Sequence, residues 1–296
     1  MKRVLITGAN GFLGQHLSVY LAKNGYDVVA TGRGACRIPQ QYHHGLLYAD
    51  ADLTSVASVK LLVDTFEPSV VVHAAAMSKP DVCNLNQEEC LSINVGATSN
   101  LLAYSFNHFV YVSTDFIFGE NGPHGEDAQP EPLNIYGRSK LLAEQEVRKT
   151  SIPYTILRPV LMYGTVWEGM KPDFLYWVKQ NLSEGKRIKV VSDQQRTPTY
   201  IGDICKGVDR IIQQKATGDF HLAGRDILSP YDMAIATAKA LNLNETLIEQ
   251  VTAETFTEPV KRAKRSGLKI DKARNLLNYE PVSFAEGLRL TFNNLP

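Results

Sequence analysis

Through the first half of the chain, short apolar runs rich in β-branched residues alternate with stretches whose apolar positions recur at helical spacing. The runs Val4–Thr7, Asp27–Thr31, Leu46–Ala49, Val70–Ala74, Phe109–Ser113 and Tyr154–Leu157 predict strands. Phe12–Asn24, Val56–Phe66, Leu91–Asn107 and Tyr136–Thr150 predict the helices between them. Parallel strands need a crossover to return to the same end, so this alternation predicts a doubly wound parallel sheet. Val70-Val71-Val72 has no polar face, which fits a strand covered by helices on both sides.

Beyond Pro159 the alternation weakens, and helical patterns take over at Phe174–Leu182, Ile201–Gln214, Tyr231–Leu241 and Phe284–Asn293. A smaller, helix-rich part is expected there, lying over the carboxyl ends of the strands, where open α/β sheets bind ligands. The stretch Gly119–Pro132, rich in Gly, Pro and acids, reads as an exposed loop, either a plain connector or a lid. The chain carries no internal repeat and no low-complexity tract.

Composition adds bounds. At 296 residues and 44% hydrophobic, the chain is long enough to bury a substantial core. Lys+Arg and Asp+Glu are equal at 31 each, so no global field favours nucleic acid or an anionic membrane. Any anionic ligand must be caught locally. Cys36, Cys83, Cys90 and Cys205 show neither paired metal-ligand spacing nor a disulfide framework, and a reducing compartment suits them as structural thiols. Met1-Lys2-Arg3 begins like a signal peptide, but Val4-Leu5-Ile6-Thr7 runs straight into a glycine turn. No stretch approaches the ~18 uninterrupted apolar residues of a membrane span, and the expected location is cytoplasmic.

That glycine turn, Gly8-Ala-Asn10-Gly11-Phe12-Leu13-Gly14, follows the first strand and opens the first helix. Missing side chains there permit a tight turn, close approach of a pyrophosphate, and helix-on-sheet packing. Backbone N–H groups and the helix dipole then attract phosphate, so a chain of zero net charge can still hold a dinucleotide. At the end of the second strand an acid would suit a ribose 2′-hydroxyl and an arginine a 2′-phosphate. The chain has Thr31-Gly32-Arg33 there, and Asp27 lies at the wrong end. NADP is therefore preferred through Arg33, with NAD possible; Arg33 also reads as a solvated loop charge. Asp50 and Asp52 end the third strand and could meet the adenine, though Asp52 serves equally well as a helix cap.

The chemistry-bearing pattern is Tyr136-Gly-Arg-Ser-Lys140, downstream of Val112-Ser-Thr114-Asp115. A Tyr and a Lys four apart share one helix face. The ammonium would favour phenolate and draw the tyrosine toward working pH, making Tyr136 a general acid/base. Thr114, ending an apolar run, would hold the reacting oxygen. The seven histidines show no metal spacing, so no metal is expected. The basic cluster Lys261-Arg-Ala-Lys-Arg265 is either a solvated face or a grip on a substrate diphosphate, and Arg196 invites the same comparison.

Taken together, the glycine turn, Ala74-Ala75-Ala76, Asn94, Ser113-Thr114-Asp115, Tyr136-x-x-x-Lys140 and Arg158-Pro159 resemble the extended short-chain dehydrogenase/reductases in order and over nearly the whole chain. Within that family, Thr114-Asp-Phe-Ile-Phe118, Pro132-Leu-Asn-Ile-Tyr136-Gly137 and Gln195-x-x-Pro198-Thr199 are most similar to the dTDP-4-dehydrorhamnose reductase branch. The resemblance implies an α/β fold: a Rossmann-type doubly wound parallel sheet with a smaller, helix-rich substrate-binding part at the C-terminal side. Residues 1–164, with return segments around 195–224, would form the dinucleotide-binding domain, and 165–194 with 225–296 the substrate-binding part. It implies NAD(P)H-dependent reduction of a nucleotide-linked 4-keto-6-deoxy sugar for surface glycan synthesis.

Roles follow by position. Thr114 would orient the keto oxygen, Tyr136 protonate it, and Lys140 bind the nicotinamide ribose and tune Tyr136. Gly8, Asn10, Gly11, Phe12, Leu13 and Gly14 would meet the cofactor's phosphates, Arg33, Asp52 and Leu53 its adenosine end, and Ala74, Ala75 and Ala76 its path. Asn94 would support the active-site helix. Asp115, Leu161 and Arg196 would face the sugar nucleotide. Phe116 stands where sugar-nucleotide dehydratases carry a glutamate, which argues against water elimination, and Leu161 stands where rhamnose-pathway reductases commonly place a tryptophan. The predicted helices Leu91–Asn107 and Tyr136–Thr150 are the usual dimer surface in similar proteins, so a homodimer is one expectation. Two other readings stay open: a dinucleotide-binding regulatory subunit similar to the non-catalytic partner of methionine adenosyltransferase, and a sugar-nucleotide epimerase that retains its cofactor.

Overall fold

The structure, a computed structural model, describes residues 3–256 and 259–292. Met1, Lys2 and Asn293, the last residue of the predicted C-terminal helix, lie outside the described residues. The six predicted strands are present as β1 (Arg3–Thr7), β2 (Asp27–Gly32), β3 (Leu46–Asp50), β4 (Val70–His73), β5 (His108–Val112) and β6 (Tyr154–Pro159). Five more follow: β7 (Met162–Tyr163), β8 (Ile188–Val191), β9 (Thr199–Tyr200), β10 (Gly218–Leu222) and β11 (Ile248–Val251). The main sheet is parallel, in the order β10-β6-β5-β4-β1-β2-β3. β8 pairs with β11 and β7 with β9 in two small sheets outside it. Strand order reverses between β1 and β4, so a crevice opens there at their carboxyl ends.

The crossovers run through α1 (Phe12–Lys23) and α2 (Val56–Phe66) as predicted. The predicted helix Leu91–Asn107 is instead a broken path: α3 (Pro80–Leu85), α4 (Gln87–Leu91), a π turn at Ser92–Gly96, and α5 (Ala97–Leu102). A π turn admits one extra residue, and here it places Asn94 among buried partners. Beyond Leu102 the chain leaves the helix because Phe106 turns into the core and Asn107 N–H bonds Ser69 O at the foot of β4. Then come α6 (Ile135–Lys149), α7 (Phe174–Ser183), α8 (Ile201–Gln214), α9 (Pro230–Ala240), α10 (Asp271–Leu277) and α11 (Phe284–Thr291).

Apolar residues fill both faces of the sheet. One layer joins Val4, Ile6, Val72 and Val110 to α1, α8 and α10; the other joins Leu5, Val71, Phe109 and Ile156 to α2, α5 and α6. Each fully buried Leu, Ile or Phe there stabilises the fold by roughly 1.5–3 kcal/mol. Strand β10 has no counterpart in the sequence reading, because Asp219 and His221 interrupt its apolar positions. Both face Arg158 on β6, with Arg158 Nη2 2.7 Å from Asp219 Oδ2 and Nη1 3.2 Å from His221 Nε2. Residues of α8 and β10 pack in the core of the main sheet, and so do Leu268, Ile270, Ala273, Leu277 and Tyr279. Separate cores lie around Val178, Ile188 and Ala234 and around Leu175, Met233 and Phe284. Among the described residues, no helix is long and apolar enough to cross a membrane.

Candidate functional site

At the β1–β4 switch point a cleft of about 660 Å³ runs along the carboxyl ends of the strands. Its floor is the glycine turn. Gly8 has φ +69°, and a Cβ there would lie 2.7 Å from Ala75 N. A Cβ on Gly14 would fall 2.2 Å from Gly8 O, so the helix could not sit this close to the turn with any side chain at that position. Gly11 caps α1 without a side-chain hydrogen bond, and no acid stands in the first turn. The first N–H groups of α1 therefore lack a side-chain acceptor, and anion attraction at this helix end is not opposed by a carboxylate. Ser113 lines the same cleft with its Oγ buried and without a hydrogen-bond partner. Backbone cradle, helix end and cleft fit a dinucleotide.

The cleft gathers Gly8, Asn10, Gly11, Phe12, Leu13 and Gly14 with Arg33, Asp52, Leu53 and Ala74–Ala76 along its walls. The side chain of Asn10 also turns toward the loop after β2. Its Nδ2 donates to Arg33 O, Ala35 O and Tyr48 Oη at 2.9–3.1 Å, and its Oδ1 accepts from Arg37 N at 2.9 Å, so the side chain organises the loop after β2. Asp52 is not a helix cap. Ser55 caps α2, accepting from Ser58 N, while Asp52 Oδ1 takes the N–H and hydroxyl of Thr54, which hold its carboxyl below the usual range. Arg37, absent from the sequence reading, joins Arg33 on the wall. Its position became visible only with the loop folded.

Thr114, Tyr136 and Lys140 meet at the other end of the cleft, beside Pro159, Leu161 and Met162. Thr114 follows β5 and caps a short 3-10 turn, its Oγ1 accepting from Phe116 N at 3.2 Å. Asn134 caps α6 by accepting from Gly137 N at 2.9 Å, which fixes Tyr136 in the helix's first turn. The Phe116 ring meets Tyr136 edge-on at 5.4 Å. Gly137 is required here, since a Cβ would lie 2.1 Å from Phe116 O.

The electrostatics correct one expectation. Burial pushes the Tyr136 phenol up from its ordinary value, and a hydrogen bond with Thr114 only partly opposes this. Lys140 does not draw it down in this state, because its Nζ donates to Val112 O at 2.7 Å and lies 4.1 Å from the centre of the Tyr111 ring. Desolvation lowers Lys140 itself to about 7, against the favourable charge of Glu144 one turn further along α6. Glu144 is the main residue missed by sequence reasoning, although the spacing Tyr136, Lys140, Glu144 puts all three on one face. It makes a bidentate pair with Arg158 at 2.7 and 2.9 Å, both side chains nearly inaccessible, and so locks α6 to β6.

Asn94 holds the neighbouring wall: its Nδ2 donates to Met77 O and Ser139 Oγ at 3.1 and 2.8 Å, and its Oδ1 accepts from Met77 N. Asp115 is buried, accepts from Ser266 Oγ at 2.7 Å, and is raised by desolvation. Arg196 lies outside the main cleft, in a small recess with Asp115, Asn134 and Arg262. Its guanidinium donates to Gln194 Oε1 and to the carbonyls of Gln195 and Lys264. The basic cluster is tied to acids, Arg262 to Asp81 and Lys264 to Asp193. Leu161 lines the cleft at φ +29°, an uncommon conformation for a branched residue. Among the described residues, no group of three or more His, Cys, Asp or Glu is placed to hold a metal ion.

A doubly wound sheet with a glycine turn at its switch point, and a Thr, Tyr and Lys set facing that cleft, define an extended short-chain dehydrogenase/reductase. The chain belongs to the RmlD substrate binding domain family, whose pattern matches residues 1–296. It is similar to a dTDP-4-dehydrorhamnose reductase from Bacillus anthracis solved in complex with NADP: 27% identical, TM-score 0.85, covering 99% of both chains. The beta subunit of methionine adenosyltransferase 2 from Danio rerio is 31% identical over 97% of this chain and 89% of its own length. A Haloferax volcanii protein named "Probable low-salt glycan biosynthesis reductase Agl14" is 29% identical over 96% of this chain and 95% of its own.

Proposed function

We propose that this chain reduces a nucleotide-linked 4-keto-6-deoxy sugar with NADPH, in the cytoplasm, for the synthesis of a surface glycan. The observation that carries the reading is the convergence of Thr114, Tyr136 and Lys140 on one end of a cleft whose other end is a phosphate-binding turn and an arginine pair. The bound nicotinamide would supply hydride to the carbonyl carbon. Thr114 Oγ1 and the Tyr136 hydroxyl would hold the carbonyl oxygen, with hydrogen bonds that strengthen as negative charge builds there. Burial keeps the Tyr136 phenol protonated at neutral pH, which suits a proton donor. Once the proton is given, the Thr114 bond and the Lys140 charge would stabilise the phenolate. Phe116 offers no carboxylate for elimination. The NADP-bound relative and the arginine pair support NADPH over NADH, and four free thiols suit a reducing compartment. The experiment is NADPH and NADH oxidation with dTDP-, GDP- and UDP-linked 4-keto sugars; no oxidation with any of them would sink the proposal.

A second reading is favoured by the beta-subunit relatives, which align over almost the whole chain. It makes this protein a dinucleotide-binding partner of another enzyme. Co-purification with a methionine adenosyltransferase, together with inert sugar assays, would favour that reading.

A further inference from the structure

The loop from Arg33 to His44 joins β2 to β3, carries both arginines of the cleft wall, and contains no regular element beyond a single 3-10 turn at Gln40–Tyr42. A loop of this kind would ordinarily have to be ordered when its ligand binds, and long side chains on it add to that cost. Here it is tied at three places, the middle one being Ile38, buried against Ala9, Val19 and Ala30. Asn10 and Tyr48 hold its beginning, Tyr48 Oη donating to Gly34 O at 2.7 Å, while Asp50 accepts from Gly34 N at 2.8 Å. Its far end is held from outside the sheet. The Tyr42 ring lies 4.7 Å from Trp167, the Trp167 ring lies 4.1 Å from His16, and His16 meets Phe12 edge-on at 5.0 Å. His16 Nε2 also bonds Thr165 O at 2.9 Å, which secures the segment carrying the tryptophan. Burial holds His16 down at about 4, so at neutral pH the ring stacks uncharged.

Trp167 does not line the cleft. We propose that it is a positioning residue for cofactor choice: stacked between His16 and Tyr42, it holds the Arg33–His44 loop so that Arg33 and Arg37 face the 2′-phosphate of NADPH. The inference rests on the cleft being an NADPH site. Selectivity follows from the division of labour along the cleft. The pyrophosphate end depends on backbone N–H groups of a turn held by the close packing of Gly8 and Gly14, whereas the 2′-phosphate end depends on side chains of a loop that Trp167 helps to fix. Loosening the loop should therefore penalise NADPH and spare NADH.

The test measures direct binding to the full chain, without turnover. Trp167→Ala should weaken NADPH and adenosine 2′,5′-bisphosphate on the order of tenfold, while NADH and AMP change less than about twofold. Trp167→Phe, which keeps an aromatic face, should recover most of the loss. Equal weakening of NADH and NADPH would assign Trp167 a merely structural role, and unchanged NADPH affinity would leave the loop independent of it; either result overturns the proposal. If the unsubstituted protein binds NADPH no better than NADH, the NADPH reading fails first and the inference with it, a result distinguishable from failure of the tryptophan alone.

Discussion

The two ends of the cleft are built in opposite ways. At the glycine turn the site is made by removing side chains, so backbone N–H groups and a helix end do the binding, and no charged residue stands in the first turn of α1. On the face of α6 the site is made by burying ionisable side chains, Tyr136, Lys140 and Glu144, and burial pushes the Tyr136 phenol up and brings Lys140 down to about 7. The first kind of site tolerates almost no added volume, and the second almost no lost charge or hydroxyl.

The largest effect should come from the face of α6. Tyr136→Phe keeps the ring against Phe116 but removes the proton donor, so turnover should fall about 100-fold or more while NADPH affinity stays near normal; near-normal turnover would end the assignment. Next is the buried pair. Glu144→Gln strips a charge from Arg158 inside the protein, leaving Asp219 as its remaining ionic partner, and should cost on the order of 3 kcal/mol in denaturant unfolding. A loss within experimental error would mean that water already reaches the pair. Gly14→Ala tests the other end: the new Cβ would force the helix off the turn, and NADPH should weaken roughly 30-fold, with Tyr136 chemistry intact at saturating cofactor. Unaltered affinity would show that the turn can relax.

The smallest effect is a pH dependence. Lys140 is held at about 7 instead of its ordinary 10.5, so its ammonium is lost as pH rises through about 7. If that charge holds the nicotinamide ribose, NADPH affinity should decline by about tenfold or less across that range. Lys140→Met should abolish the dependence; a flat profile from pH 6 to 9 in the unsubstituted protein would remove Lys140 from cofactor binding. The same shift affects folding with the opposite sign. Between about 7 and 10.5 the unfolded chain carries the extra proton, so this lysine's contribution to stability increases with pH over that interval.

The turn was legible from sequence because its function is carried by residue absence at fixed spacing, and Gly8, Gly11 and Gly14 sit where the pattern places them. Thr114, Tyr136 and Lys140 were legible because a strand end and one helix face determine where they point. Glu144's pairing was not, since it depends on how α6 packs on β6 and on Asp219 from β10, and β10 hides behind polar residues that face Arg158. Arg37 and Trp167 were invisible for a related reason: a loop position has no periodicity, and its neighbours exist only after folding. The π turn was hidden because nothing in local propensity marks an inserted residue that only a buried asparagine's partners justify.

Arg158 has a consequence for how the chain is made. Synthesis from the N-terminus delivers the glycine turn, Arg33, Thr114 and Tyr136 before β10, so for a time β6 is the open edge of an unfinished sheet. Exposed parallel edges recruit other chains, and an inward-pointing charge is one of the devices that discourages this. Before β10 pairs, Arg158 would make the growing edge a poor template for a stranger's strand, and Asp219 and His221 arrive on β10 as the complement that admits the correct one.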